Sequence, residues 1–181
     1  MQKLKEKYLK EVTPKLMEEF AIGNKMAVPR IEKVTLNMGI GDLVKNKDLL
    51  EAAKKDLSLI SGQYPSVRPA KISVASFGIR KGVPVGLKVT LRGERMWAFL
   101  DRLFSIVLPR FRDFRGVSLD SFDNFGNYTL GIAEHTVFPE IDFAKSQPHG
   151  LGVTITVNSK NKDLSRRMLE LLGMPFEKKG K

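Results

Sequence analysis

Four segments of this chain place an apolar side chain at every second position and a polar or small one between. Val34, Leu36 and Met38 alternate with Lys33, Thr35 and Asn37, and Val85, Leu87, Val89 and Leu91 alternate with Gly86, Lys88, Thr90 and Arg92. Tyr128, Leu130 and Ile132 alternate with Asn127, Thr129 and Gly131, and Val153, Ile155 and Val157 with Thr154, Thr156 and Asn158. Successive side chains of a strand point to opposite faces, so each segment specifies a strand with one core face and one wet face. A sheet covered on both sides would call for nearly continuous apolar runs. The pattern therefore predicts an α+β fold, a mainly antiparallel sheet with helices on one face and the other face open.

Helical stripes supply the partners for the covered face. Leu4, Tyr8, Val12, Leu16 and Phe20 recur every four residues, Thr13-Pro14 suits the start of a second short helix, and Gly23-Asn24 closes the segment. After the turn Gly39-Ile40-Gly41-Asp42, the stripe Leu49, Leu50, Ala53, Leu57 and Ile60 runs to Ser61-Gly62, where glycine fits a left-handed cap. Trp97, Leu100, Leu103, Phe104 and Val107 mark a further helix with Pro109 as its stop, and Asn161 to Leu172 another, with Leu164, Met168, Leu171 and Leu172 inward. Pro65 and Pro69 limit a short extended segment at Val67 to Ile72. Residues 1–181 read as one domain, with a helical segment at 1–22, a basic loop at 73–82 that carries Arg80 and Lys81 near its tip, and an irregular connection at 133–150.

Charge directs the open face toward a polyanion. Arg68, Lys71, Arg80, Lys81, Lys88 and Arg92 lie between Ser66 and Arg92 without one Asp or Glu, in a chain with 31 Lys and Arg, 20 Asp and Glu and a net charge of +11. A solvated surface ordinarily mixes its signs. Thr35, Asn37, Lys88, Thr90, Arg92, Thr129, Thr154 and Thr156 would surface the face, and hydroxyls with cations suit the shallow groove and 2′-hydroxyls of structured RNA. These positions hold no aromatic residue, which argues against stacking of splayed bases there. Lys3, Lys5, Lys7 and Lys10 interleave with Glu6 and Glu11 and read as a solvated helix face.

Other chemistries find little support. No apolar run approaches the roughly 20 residues that span a bilayer, and Met1 to Phe20 is too charged for a signal peptide, which predicts a cytoplasmic protein without a membrane partner. The chain has no cysteine. Gly39-x-Gly41 lacks the third glycine of a dinucleotide fingerprint, since Val44 stands there. Glu134 and His135 are neighbours on an extended segment and point apart, His149 sits in the turn composition Gln147-Pro148-His149-Gly150 without an evident partner, and Asp120, Asp123 and Asn124 lack calcium-loop spacing. No catalytic residue, cofactor or metal is assigned. An RNA-modifying enzyme would require such a constellation, and a peripheral membrane module would have to use the N-terminal lysines.

A resemblance sharpens the reading. The segments Val28-Pro29-Arg30-Ile31-Glu32-Lys33, Leu36-Asn37-Met38-Gly39-Ile40-Gly41, Gly86 to Gly93 followed by Glu94-Arg95-Met96-Trp97, Pro109-Arg110, Arg112-Asp113-Phe114-Arg115-Gly116, Gly126-Asn127-Tyr128, Phe138-Pro139-Glu140-Ile141 and Pro175-Phe176 occur in order. In these the chain resembles the bacterial large-subunit ribosomal protein family called L five, a 5S rRNA-binding family, across nearly its whole length. The resemblance implies a structural, non-enzymatic protein whose open sheet face binds 5S rRNA in the central protuberance, beside neighbouring large-subunit rRNA and proteins. It also implies a loop at Ser73 to Gly82 near P-site tRNA, and a bridge to a protein of the small-subunit head. The rRNA-binding residues expected are Lys33, Thr35, Asn37, Gly39, Arg68, Lys71, Lys88, Thr90 and Arg92, and the tRNA-binding residues Arg80 and Lys81. Gly78 and Ile72 stand where relatives often carry basic residues, Asn124-Phe125 replaces a Gly-Arg pair before Gly126, and Ala133 replaces a common Arg.

Overall fold

The alternating segments pair into a five-stranded antiparallel sheet in the computed structural model, which describes residues 3–41, 47–111, 116–142, 146–159 and 161–177. Asp42, Val44 and the segment Arg112 to Arg115 lie outside the described residues. The strands are β1 (Ile31–Gly39), β2 (Ser66–Pro69), β3 (Pro84–Leu91), β4 (Tyr128–Ile132) and β5 (Leu151–Val157), hydrogen-bonded in the order β2-β3-β1-β5-β4. Among the described residues the α-helices are α1 (Lys3–Lys7), α2 (Thr13–Glu19), α3 (Lys47–Ser61), α4 (Gly93–Arg102) and α5 (Lys162–Leu172). Burial follows the alternation: in β5 the residues Leu151, Val153, Ile155 and Val157 are buried and those between are half-buried.

The residues group into two compact units, Met1–Val34 with Leu91–Leu130 and Thr154–Lys181, and Thr35–Thr90 with Gly131–Val153. In the first, a π-helical turn at Tyr8–Val12 joins α1 to α2. A strict four-residue apolar period drifts around an α-helix of 3.6 residues per turn, and the wider i→i+5 turn takes up that drift. Leu4, Val12 and Leu16 are therefore all buried, whereas Phe20, expected to close the stripe, is 37% exposed just beyond the helix end. Tyr8 lies 5.5 Å from Trp97 between ring centroids and donates its hydroxyl to the Pro29 carbonyl. A second π-helical turn, Leu103–Val107, extends α4, and Pro109 sits inside a following 3-10 turn, so the chain leaves the helix at Phe111 instead of before the proline.

α5 also departs from expectation. Its buried residues are Ser165, Met168, Leu169 and Leu172, while Leu164 and Leu171 are half-buried. The buried stripe thus runs Ser165, Met168, Leu169 and Leu172, with the spacing i, i+3, i+4, i+7 of one helix face. Arg167 crosses to α2 through a two-pronged pair with Glu19, both contacts 2.7 Å, and Lys7 donates to the Leu172 carbonyl at the end of α5. The guanidinium holds the Glu19 carboxyl below its ordinary value.

The second unit buries Leu36, Met38, Ile40, Ala53, Leu57, Ile60, Leu87, Val89, Phe138 and Val153. α3 ends as the sequence predicts, with Gly62 left-handed at φ +66° and its N–H on the Ser58 carbonyl. His135 takes the structural role of a buried, hydrogen-bonded imidazole, and His149, which has no evident partner in the sequence, proves to be one of its partners. The His135 ring is fully buried, its Nε2 lies 3.3 Å from the Asp56 carboxylate and 3.1 Å from the Ser146 hydroxyl, its Nδ1 meets the His149 backbone, and the two imidazoles stack at 5.9 Å. Ser146 donates to the same Asp56 oxygen. The spacing of 79 residues between Asp56 and His135 leaves no local signal of this contact.

Candidate nucleic-acid interface

Strand periodicity carries the face. On β1 the positions of Lys33, Thr35, Asn37 and Gly39 fall opposite buried Val34, Leu36 and Met38, and on β3 Gly86, Lys88 and Thr90 fall opposite buried Leu87, Val89 and Leu91. β2 pairs antiparallel to β3 with Ser66 facing Lys88 and Arg68 facing Gly86, so this edge strand adds Arg68 to the same surface. All four β2 residues are exposed. Within the second unit the structure thus brings Thr35, Asn37, Gly39, Arg68, Lys88 and Thr90 onto one face. No residue of the five strands on that parity is Asp or Glu.

Glycine makes the floor of this face shallow. Gly86 carries no side chain beside exposed Asn37, and a Cβ there would stand 3.9 Å from Asn37 Oδ1 and 3.4 Å from the Met38 carbonyl. Gly152, on the other flanking strand, would bring a Cβ to 3.6 Å from the Asn37 carbonyl. Asn37 therefore projects between two glycines, and beyond Gly86 the same face carries Lys88 on β3 and Arg68 on β2. Glycine within a strand marks a place where another backbone can approach closely. Sequence reasoning missed that arrangement, although its signal is present: Gly39, Gly86, Gly131 and Gly152 all occupy the polar parity.

Lys33 and Arg92 belong to the first unit. Lys33 is half-buried on β1, and Arg92 is exposed one residue beyond β3, extended at φ −138°, as the N-cap of α4. Gly93 follows at φ +58°, a conformation costly for other residues, and this sharp exit from β3 is what ends the strand at Leu91. Thr129 and Thr154 of the same unit share a hydrogen bond, Oγ1 to Oγ1, at 3.3 Å.

Lys71, Arg80 and Lys81 sit on the excursion between β2 and β3, which is more ordered than a plain loop. Its base is clamped by Ala70 N–H on the Val83 carbonyl at 2.8 Å and Gly82 N–H on the Ala70 carbonyl at 3.0 Å. Val74 and Ile79 exchange backbone hydrogen bonds at 2.8 and 3.1 Å, and the Lys81 N–H reaches the Ser73 hydroxyl at 3.0 Å. A 3-10 turn at Ala75–Phe77 closes over Gly78, left-handed at φ +64°. The tip is consequently Ala75 to Gly78, and Arg80 and Lys81, expected near it, occupy the returning arm. Both are outside the buried core, and Lys71 is exposed. Phe77 at the tip is 77% exposed and Ile72 69%.

Among the described residues no group of three or more His, Cys, Asp or Glu is placed to hold a metal ion, and no helix is long and apolar enough to cross a membrane. Asp123 is committed to its own turn: its carboxylate accepts from the backbone of Phe125 and Asn127 at 2.9 and 2.7 Å and from the Asn127 amide at 2.7 Å. Burial raises the Asp123 pKa, but these donors outweigh it and hold the carboxyl below its ordinary value.

Comparison with known proteins covers nearly all of the chain. The pattern of the family described as Ribosomal protein L5 matches residues 24–80, and that of the C-terminus of the same ribosomal family matches residues 84–176. Large ribosomal subunit protein uL5 of Thermoanaerobacter sp. (strain X514) is 54% identical over 179 residues, which is 98% of this chain and 100% of that one. The protein of the same name from Dictyoglomus turgidum is 52% identical over 179 residues, again 98% and 100%. That of Rubrobacter xylanophilus is 52% identical over 177 residues, 97% of this chain and 98% of the other.

Proposed function

The chain belongs to the ribosomal protein L5 family, and from that premise we propose that its acid-free sheet face docks 5S rRNA in the central protuberance while its β2–β3 loop faces P-site tRNA. As a member of that family it is a structural protein of the large ribosomal subunit in the cytoplasm and not an enzyme. The observation that carries the finer reading is the face around Asn37: two flanking glycines leave the sheet open to a ribose-phosphate backbone, and Arg68 and Lys88 stand ready to neutralise phosphates. Thr35 and Thr90 add hydroxyls that both donate and accept, which is what recognition of 2′-hydroxyls requires. Lys33, Gly39, Lys71 and Arg92 complete the rRNA-binding set, and Arg80 and Lys81 serve the tRNA. Neighbouring rRNA, adjacent large-subunit proteins and a protein of the small-subunit head are the remaining partners proposed.

The test is the salt dependence of 5S rRNA binding. Each phosphate contact contributes about 0.7 to 0.9 to the slope of log affinity against log salt, so Lys88→Ala and Arg92→Ala should each lower its magnitude by roughly one. Unchanged affinity and slope for both variants would place the RNA elsewhere.

A further inference from the structure

We propose that Phe77 is a stacking group, presented by the β2–β3 loop to an exposed nucleobase plane of the RNA that the loop meets. This rests on the reading of the loop as the tRNA-facing element and adds a residue and a mode of contact to it. Exposure of a large apolar side chain is ordinary when it is scattered or mobile, but here the ring stands at a point fixed by backbone hydrogen bonds. Three layers hold the excursion: the clamp of Ala70 with Gly82 and Val83, the Lys81–Ser73 bond, and the reciprocal Val74–Ile79 pair directly beneath the turn. Gly78 takes the left-handed corner that lets the chain reverse immediately after Phe77. A turn so closely tied carries its ring to a partner at little ordering cost.

The surroundings select the class of partner. Arg68, Lys71, Arg80, Lys81 and Lys88 share the 66–92 stretch with Phe77 and no acid is among them, so an approaching surface must be anionic as well as able to take an aromatic face. An RNA presents that combination wherever a base or terminal base pair is left unstacked beside its own phosphates. Charge from Arg80 and Lys81 then supplies long-range attraction, and the ring supplies contact that salt does not screen. The absence of aromatics from the sheet face divides the labour: groove and backbone recognition by the sheet, stacking by the loop.

Large subunits reconstituted with full-length variants, joined to small subunits on a messenger, provide the test through the rate of tRNA dissociation from the P site. Phe77→Ala should speed dissociation at least about fivefold, the low end of what loss of one stacked base costs. Phe77→Leu should do the same, since it keeps the apolar bulk and loses the plane, and Phe77→Trp should hold the wild-type rate or slow it. An unchanged rate for Phe77→Ala overturns the proposal. A wild-type rate for Phe77→Leu overturns it too, by assigning the ring to an apolar pocket on a protein. Loss of 5S rRNA from Phe77→Ala subunits would likewise overturn it, because the ring would then serve that RNA. The double variant Arg80→Gln, Lys81→Gln separates the two readings: if it speeds dissociation while Phe77→Ala does not, only stacking fails, and if neither acts, the loop does not face tRNA.

Discussion

Single residues set the sharpest corners of this structure. Asp123 organises the turn Phe122 to Tyr128 by accepting three hydrogen bonds, and behind that turn a Cβ on Gly126 would collide with the hydroxyl of buried Ser165. The pair Asn124-Phe125, which replaces Gly-Arg, lies on the exposed outer side of the turn, so the replacement leaves its hydrogen bonds intact. Because the folded Asp123 pKa is lowered, its stabilisation is complete above the ordinary aspartate value of about 3.9 and is lost as pH falls through the lower folded value. Asp123→Ala should cost about 1 kcal/mol at pH 7, a figure already reduced for solvent exposure, and the difference from wild type should shrink as pH falls toward about 3 in urea unfolding curves. The role of Asp123 was legible as turn composition, but the identity of its partners was not, since each depends on the backbone path through Gly126.

At the level of elements, the second unit is tied by a contact that no periodicity announces. His135 begins a short turn after β4, Asp56 lies in the middle of α3, and Ser146 with His149 comes from the segment before β5, yet all four meet around one buried imidazole. Removing the ring leaves a cavity and strands the carboxylate and hydroxyl that face it. His135→Ala should therefore destabilise the protein by roughly 2–4 kcal/mol in thermal or urea unfolding, whereas 5S rRNA affinity measured well below the melting temperature should stay within about twofold. A conservative His135→Asn should recover part of the loss, because one amide keeps a hydrogen bond to Asp56 or Ser146. The N-terminal helix shows the opposite case. Its four-residue period was plain in the sequence, and only the need to keep Leu4, Val12 and Leu16 on one side reveals why a π-helical turn lies between α1 and α2.

Over the whole molecule, the net charge of +11 is distributed so that its parts do different work. Lys7 caps the carbonyl end of α5, Lys10 lies 3.9 Å from Glu6, and Arg167 is engaged with Glu19 and Glu170, whereas the cations from Arg68 to Arg92 have no acid within their own stretch. Substituting Lys3 and Lys10 together by Ala should leave the salt slope of 5S rRNA binding unchanged, in contrast to the loss of about one expected for Lys88→Ala; filter binding between about 50 and 300 mM salt distinguishes them. The alternation of apolar and polar residues by itself determined which face of each strand is wet, because side-chain direction in a strand is fixed by the parity of the position and nothing else. The acid-free stretch was equally visible, being a property of composition. Tertiary structure alone decided that Asn37 would stand between Gly86 and Gly152, that Phe77 and not Arg80 would occupy the tip of the loop, and that half-buried His149 would stack on buried His135. Those outcomes depend on which strands become neighbours and where the backbone turns, and contacts between residues tens of positions apart leave no periodic trace along the chain.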